Sequence, residues 1–439
     1  MAVNNRVYYA IQQVSFGKDS SGMVNMNDGA DYTSTDDAAK GNRHVAHGVQ
    51  SVGLTTTFNL EQVFELGQLA IYDNVEGTPD IEVTMTKVMD GYIPLWCLAT
   101  SDQTDGPQLA KRCSSTVKSI VQLGIWDEAM ESAGQEGSGA RTFVSMSGLY
   151  PTSISYNFPV DDNFTEDITL VGNSKVWGSG QSTSTLECNP SYFPTNVTGG
   201  FSGNDDTPIG TGGIQRRENV IFATGNASAT SAAVIKLECS SPDKTVLPAD
   251  IPGVYDGSSV PSLSSGVKNT VHIQTVTVST DVAREELFEL GAKLPYARPV
   301  TFPIEVTCDF ETTTSSGDMI NAIDGCSGTA QSCGSSKSLS NRAIRIATCD
   351  GLRIWLGKKN KLASVTYGGG DAGGGNATVT YSYTTFNDFT VIHPYDIFES
   401  GGSASGANWW KDRAYFLGSG LLENRQNIQA NGGNNSWYK

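Results

Sequence analysis

Apolar and polar residues alternate one by one over long stretches of this chain. Ile81, Val83 and Met85 are separated by Glu82 and Thr84. Ile154, Tyr156, Phe158 and Val160 are separated by Ser155, Asn157 and Pro159, and Ala377, Val379, Tyr381 and Tyr383 by Thr378, Thr380 and Ser382. Successive side chains of a strand point to opposite faces, so this period predicts antiparallel sheets with one buried and one wet face. One motif follows another spacing. In "NLEQVFELG", Asn59 to Gly67, the apolar residues Leu60, Val63 and Phe64 stand three and four apart, Asn59 is placed to cap a helix and Gly67 to end one. The spacing predicts a short helix there and another over "DVAREELFELG", Asp281 to Gly291.

That motif lies inside a repeat. Gln50 to Thr84 aligns with Gln274 to Thr307, without a gap as far as Pro79 and Pro303 and then with one residue dropped. Gln50, Val52, Thr56, Glu61, Phe64, Glu65, Leu66, Gly67, Tyr72, Pro79, Ile81, Glu82, Val83 and Thr84 meet identical residues, 14 of 34 aligned pairs. A period of this length lies far outside the roughly 20 to 50 residues of solenoids and propellers, so the block marks a duplicated domain. Weaker echoes follow: "SIVQLGIW" at Ser119 with "RIATCDGLRIW" at Arg345, and "PTSISYNFPVDDNFTEDITLV" at Pro151 with "KLASVTYGGGDAGGGNATVTYSY" at Lys361. The expected organisation is an N-terminal arm (1–39), a first copy (40–177), a Gly/Ser/Thr-rich insert and linker (178–270), a second copy (271–399) and a Gly/Asn-rich tail (400–439).

Composition fits such an architecture. The chain has 439 residues, enough for two to three domains, and carries only 17% charged residues beside 48 glycines, which suits an all-β protein rich in turns. No apolar run approaches the roughly 20 residues of a membrane span, and the N-terminus lacks the basic start and apolar core of a secretory leader, so a soluble protein made in a cytoplasm is expected. The eight cysteines show no CxxC and no histidine at metal-ligand spacing. Reduced thiols are the expectation, with one alternative: a disulfide within the insert between the "LEC" motifs at Cys188 and Cys239.

Chemistry finds little footing. Among His44, His47, His272 and His393 there is no HExxH, GxSxG or Cys-His arrangement. "DGADYTSTDD" at Asp28 and "DDNFTED" at Asp161 lack calcium-loop spacing, and "YGGGDAGGGN" at Tyr367 does not open a helix after a strand as a phosphate loop does. No enzyme, catalytic residue, cofactor or metal is expected.

The segments "HGVQSVGLTTTFNLEQVFELGQLAIYDNVEGTPDIEVTMTKVMDGY", "GIQRRENVIF" and "TVLPADIPGV" together resemble the tail tube and related virion proteins of tailed bacteriophages, in particular those whose tube subunit carries two tandem tube domains. The resemblance covers about residues 1–255 directly, and the second copy through its likeness to the first. It implies a mainly β fold of two tandem β-sandwich or barrel-like domains, each with a short flanking helix, plus a loop-rich insert. It also implies a structural virion protein, assembled in the host cytoplasm, in which three chains form a pseudo-hexameric ring and rings stack into a hollow tube. The implied partners are the chain itself, tape measure, tail terminator and baseplate proteins. DNA passes through the lumen without specific binding, and no membrane is involved.

Two physical considerations agree. Paired β-domains leave open sheet edges, and closing a ring removes them. A net charge of −17 disfavours binding to phosphates and suits a conduit that DNA must slide through, although acidity also serves plain solubility. Charges are sorted along the chain: Glu61, Glu65, Asp73, Glu76, Asp80, Glu82 and Asp90 stand against Lys87 alone. Lys337, Arg342, Arg345, Arg353, Lys358, Lys359 and Lys361 stand against Asp350 alone. Glu61, Glu65 and Glu82, with Arg345, Arg353, Lys358, Lys359 and Lys361, are therefore candidates for complementary patches between subunits, the alternative being solvated faces. Two other functions stay open. One is a tail terminator or baseplate hub ring with the same fold. The other is a carbohydrate-binding β-protein that uses Trp409, Trp410, Trp437 and Tyr438.

Overall fold

The structure, a computed structural model, describes residues 7–9, 12–18, 43–92, 94–100, 109, 118–125, 142–179, 214–217, 220–226, 271–314, 342–348, 352–357, 359–368 and 375–392. These form a mainly β protein. The strands are β1 (Gln12–Lys18), β2 (Arg43–Val45), β3 (Val49–Thr57), β4 (Leu60–Phe64), β5 (Ile71–Glu76), β6 (Asp80–Val88), β7 (Ser119–Ile125), β8 (Thr142–Pro159), β9 (Thr165–Gly172) and β10 (Val176–Ser179). They continue with β11 (Val220–Asn226), β12 (Val271–Asp281), β13 (Glu305–Thr314), β14 (Arg342–Thr348), β15 (Arg353–Trp355), β16 (Lys361–Gly368), β17 (Thr378–Phe386) and β18 (Thr390–Ile392). Among the described residues a helix, α1 (Leu95–Thr100), lies between β6 and β7.

The alternating stretches become strands with the expected faces. Along β9 and β17 every second residue is buried, and the intervening ones are half-exposed threonine, serine and acid side chains, apart from Val171 and the exposed Phe386. Eight strands run as one continuous antiparallel sheet in the order β3-β6-β9-β8-β12-β13-β17-β16. Its apolar face carries Val83, Met85, Ile168, Leu170, Tyr156, Val276, Val278, Phe310, Tyr381 and Tyr383, all buried. β8 is 18 residues long and serves two sheets. Its second half lies in the eight-stranded sheet, while its first half pairs β7 and β10 in a second layer that continues through β1 to β2. A further small sheet has the order β11-β14-β15-β18.

The helix expected at Asn59–Gly67 is absent, and so is its counterpart behind Asp281. Leu60–Phe64 is strand β4, which pairs with β5 in an isolated hairpin. Residues 282–303 follow the same path, with bridges Arg284↔Val300 and Leu287↔Ala297 where the first copy pairs Leu60↔Glu76 and Val63↔Asp73. Its strands are interrupted because Pro295 and Pro299, replacing Ile71 and Val75, have no N–H to donate. The repeated "FELG" is the hairpin tip. Gly67 and Gly291 take φ of 96° and 93°, and the amides of Gln68 and Ala292 turn back to the carbonyls of Glu65 and Glu289, as in a turn with a left-handed third residue. A left-handed glycine also terminates helices, which is why the motif reads as a helix end.

Helix α1, "LWCLAT", is held by a buried carboxylate. Glu166 on β9 accepts the amides of Leu95 (2.7 Å) and Trp96 (2.9 Å) and the Tyr156 hydroxyl (2.7 Å). This docks α1 on the sheet, with Trp96 edge-on to Phe389, just before β18. Nearby Lys87 is buried too, its Nζ donating to the His47 carbonyl (2.6 Å) and to Asp90 (2.7 Å), so the one base among the acids at 61–90 is consumed internally.

Burial pushes the Glu166 carboxyl above its ordinary value of 4.5, against the two amides, Tyr156 and Lys87, which pull it down. A raised folded-state pKa means that the folded chain holds this proton more tightly than the unfolded chain. The site therefore costs stability at neutral pH, and the cost is relieved as pH falls from the folded-state pKa towards about 4.5. Between pH 7 and pH 5 the wild-type chain should gain stability relative to Glu166→Gln, read as a shift in the difference between their urea midpoints. Parallel pH responses of the two would show that Glu166 does not titrate in this window.

Candidate functional site

The two repeated blocks build the same four-strand unit twice. In the first the order is β3-β6-β9-β8, in the second β12-β13-β17-β16. Both units carry a one-residue irregularity at Gln50 and Gln274, where the sequence identity begins. Both carry another at Thr152 and Ala363. Bulges fix register, so these pairs set the equivalence of the strands: Thr56 faces Ile81, and Thr280 faces Val306. The shared "IEVT" is therefore displaced by two residues between the copies. An even displacement returns each side chain to the same face, so the core is unaffected.

Inside the chain the units meet along β8 and β12, through seven antiparallel residue pairs from Thr275↔Pro159 to Asp281↔Ser153. Their outer strands have no such neighbour among the described residues: β3 pairs β6 alone and β16 pairs β17 alone. These outer strands are the equivalents of the joined ones, β3 of β12 and β16 of β8. Their core-facing side chains are correspondingly uncovered. Tyr367 is 51% exposed where Tyr156 is 0%, and Val52 and Leu54 are half-buried where Val276 and Val278 are fully buried.

The second face of the eight-stranded sheet is mostly polar, Val171 and Phe386 being apolar exceptions. It presents Asp80, Glu82, Asp167, Asp281, Glu305, Asp309 and Glu311 among threonines and serines. Neighbours bond along it, Thr86 to Asp167 (2.6 Å), Ser279 with Thr307 (2.7 Å) and Thr277 to Asn157 (3.4 Å). Among the described residues the only Lys or Arg in register with this face is Lys361, on edge strand β16.

The two hairpin arms differ in their anchoring. Residues 282–303 lie across the end of the first unit. The Arg284 guanidinium sits over the Tyr150 ring (4.8 Å) and donates to the Pro151 carbonyl (3.1 Å). Buried Arg298 donates to Asn173 (2.9 Å) and pairs with Glu286 and, at 3.8 Å, with Asp80. Thr78 donates to the Lys293 carbonyl (2.7 Å). The β4–β5 arm carries Leu60 and Asn74 where those arginines stand, and every residue of both its strands is exposed. Phe58, Phe64, Leu66, Leu69, Ile71 and Tyr72 point into solvent.

The sequence-selected charges fall on several surfaces. Glu61 and Glu65 are exposed on the β4–β5 arm, Glu82 is exposed on the polar sheet face, and Lys359 and Lys361 are exposed before and on β16. Arg345 and Arg353 belong to strands β14 and β15, in the small sheet; their side chains and all of Lys358 lie outside the described residues, as do Cys188, Cys239, Trp409, Trp410, Trp437 and Tyr438. Cys97 and Cys308 are buried and form no disulfide, and burial pushes the Cys308 thiol well up, aided by Asp309. His47 stacks on Tyr92 at 4.2 Å. Among the described residues no His, Cys, Asp or Glu cluster has the grouping of a metal site, and no helix is long and apolar enough to cross a membrane.

No protein-family model matches the chain, and no curated protein matches it. Solved structures with weak similarity belong to contractile injection systems. The anti-feeding prophage tube-terminating cap is 15% identical over 41% of this chain and 95% of its own, with a TM-score of 0.26. A PVC sheath/tube terminator is 16% identical over 40% of this chain and 100% of its own, also at 0.26, and an anti-feeding prophage baseplate chain is 11% identical over 42% and 100%, at 0.27. TM-scores this low carry no weight for function.

Arg298 ties the 282–303 arm to the first unit through Asn173 and Asp80. Arg298→Met, which keeps the stem and removes the guanidinium, should destabilise the chain by about 1–3 kcal/mol in urea unfolding, discounted because its acid partners are partly wet. Asn74→Ala, at the equivalent place on the free arm, should stay within about 0.5 kcal/mol. Equal losses would show that the arms are anchored alike.

Proposed function

We propose that this protein is the tail tube subunit of a tailed phage, built from two tandem tube domains bounded at about 40–177 and 271–399. Three chains close into a pseudo-hexameric ring, and rings stack into a conduit for DNA. The observation that carries this reading is the β8–β12 junction: one chain already contains a finished copy of the contact that would join it to the next. Transferring that junction to the outer strands pairs β16 of one chain with β3 of its neighbour, Leu54 opposite Tyr367, Thr55 opposite Thr366 and Thr56 opposite Val365. The transfer covers the half-exposed core positions of both edges and satisfies their backbone groups, which a long open edge leaves free.

The acidic, Thr/Ser-rich face supports the conduit. A closed ring turns the apolar face towards the second layer and the polar face towards a lumen. A wall carrying carboxylates and almost no base repels phosphates, and hydroxyls keep it wetted, so a DNA strand finds no place to bind. No catalytic or cofactor role is assigned. The chain would work in the virion, beside tape measure, terminator and baseplate proteins, after assembly in the host cytoplasm. Of the complementary patches named from sequence, Glu61 and Glu65 against Lys358, Lys359 and Lys361 are retained as contacts between subunits, with Arg345 and Arg353 on the small sheet as a separate candidate surface, whereas Glu82 is assigned to the lumen wall.

Purified wild-type chain should form hollow rings or tubes in negative-stain micrographs, with masses in steps of three chains. Tyr367→Asp places a charge where the internal equivalent, Tyr156, is fully buried. Because Tyr367 is half-exposed in the single chain, the variant should keep its unfolding midpoint within about 0.5 kcal/mol while losing assembly. Normal rings from Tyr367→Asp would rule out closure through β16. Closed single rings that never stack would move the reading to a terminator or hub ring.

A further inference from the structure

We infer that the exposed β4–β5 arm is a docking limb for a second copy of this chain: it lies across the end of the neighbour's β13-β17-β16 unit. The inference rests on the ring reading and extends it to a surface the strand edges do not include. The geometry comes from the junction inside the chain. There the second unit contributes both its first strand, β12, and the arm that follows it, and the arm crosses the end of the unit that β12 joins. If β3 joins β16 of a neighbour, its own arm is carried to the equivalent place on that neighbour.

Two of the arm's charged anchors are replaced by apolar residues, Arg284 by Leu60 and Lys293 by Leu69. The Val282 amide donates to the Thr152 carbonyl (2.6 Å), and its equivalent aims Phe58 at Ala363. Arg284 over Tyr150 and Pro151 becomes Leu60 over the stem of Lys361 and Leu362. Lys293 against Thr78 becomes Leu69 against Phe302, and Arg298 against Asn173 becomes Asn74 beside Phe386. Phe302 and Phe386 are 49% and 55% exposed, and Leu69 is fully exposed. Apolar groups thus wait, uncovered, on both sides of the transferred contact, an exposure that single-chain packing does not account for.

Charge fits the same occupant. Residues 58–77 contain four carboxylates, Glu61, Glu65, Asp73 and Glu76, and no Lys or Arg. Glu76 is the cross-strand partner of Leu60, so docking brings it beside Lys361, with Lys359 next along the chain. Both lysines are exposed. Such a pairing steers encounter and rejects a reversed arm more than it adds affinity.

The test uses the full-length chain with two cysteine pairs, each joined by a short bismaleimide under conditions where wild type assembles, and with every single-cysteine variant as a control for the native thiols. Leu60→Cys with Lys361→Cys reports the arm, and Thr55→Cys with Thr366→Cys reports the strand edge. Denaturing gels should show dimers and trimers for both pairs, at least about tenfold above the single-cysteine controls. Edge cross-links without arm cross-links would overturn the docking limb and leave the ring. Arm cross-links without edge cross-links would support the limb and overturn closure through β16 and β3. Absence of both would overturn the two together. As a second readout, Lys361→Glu should weaken assembly and adding Glu76→Lys should restore it; no restoration would remove the charge pairing.

Discussion

The structure depends on the antiparallel pairing of β8 with β12. Each four-stranded unit ends in a strand whose outer N–H and C=O groups must find partners, and within one chain only two of the four outer edges can meet. The meeting fuses the units into one sheet with one apolar face and aligns their polar faces into a single acidic wall. It also lays residues 282–303 over the first unit, where Arg284 and Arg298 fasten them. The remaining edges, β3 and β16, are the same strands in the opposite role, and their half-covered Leu54 and Tyr367 follow from that arithmetic of pairing.

Much of this was legible in the sequence. Period-two alternation at residues 81–85, 154–160 and 377–383 located β6, β8 and β17 and their buried faces, because a strand's side-chain period survives whatever packs against it. The Gln50 and Gln274 repeat marked the strands that became equivalent edges. "NLEQVFELG" was misleading for a physical reason: Leu60, Val63 and Phe64 suit one helical face, but that face has nothing to pack on, and Ile71, Tyr72 and Val75 on the far side of the FELG turn offer strand pairing. The identity of that turn in both copies was the available signal.

Other features were beyond pattern reading. The register displacement of "IEVT" is invisible to alignment, since matching letters and matching positions differ by two residues. Glu166 looked like one acid of "DDNFTED"; its role arises from Leu95, Trp96 and Tyr156, which come to it from 71, 70 and 10 residues away. Of the selected charges, the arm and edge residues fall on surfaces that can meet, whereas Glu82 lies on the polar face and Arg345 and Arg353 belong to another sheet, a separation that linear clustering cannot reveal.

The difference between the two arms has a further meaning in mass action. A limb tethered to its own receptor meets it at a high and fixed effective concentration. Residues 282–303 can therefore rely on an arginine lattice whose desolvation leaves little net gain. A limb whose receptor belongs to another molecule must find it at whatever concentration the cell supplies, and apolar side chains with a charged rim hold such a contact without a tether. Under the docking proposed above, the two arms of the sequence repeat serve different ends, one fidelity within the molecule and the other capture between molecules.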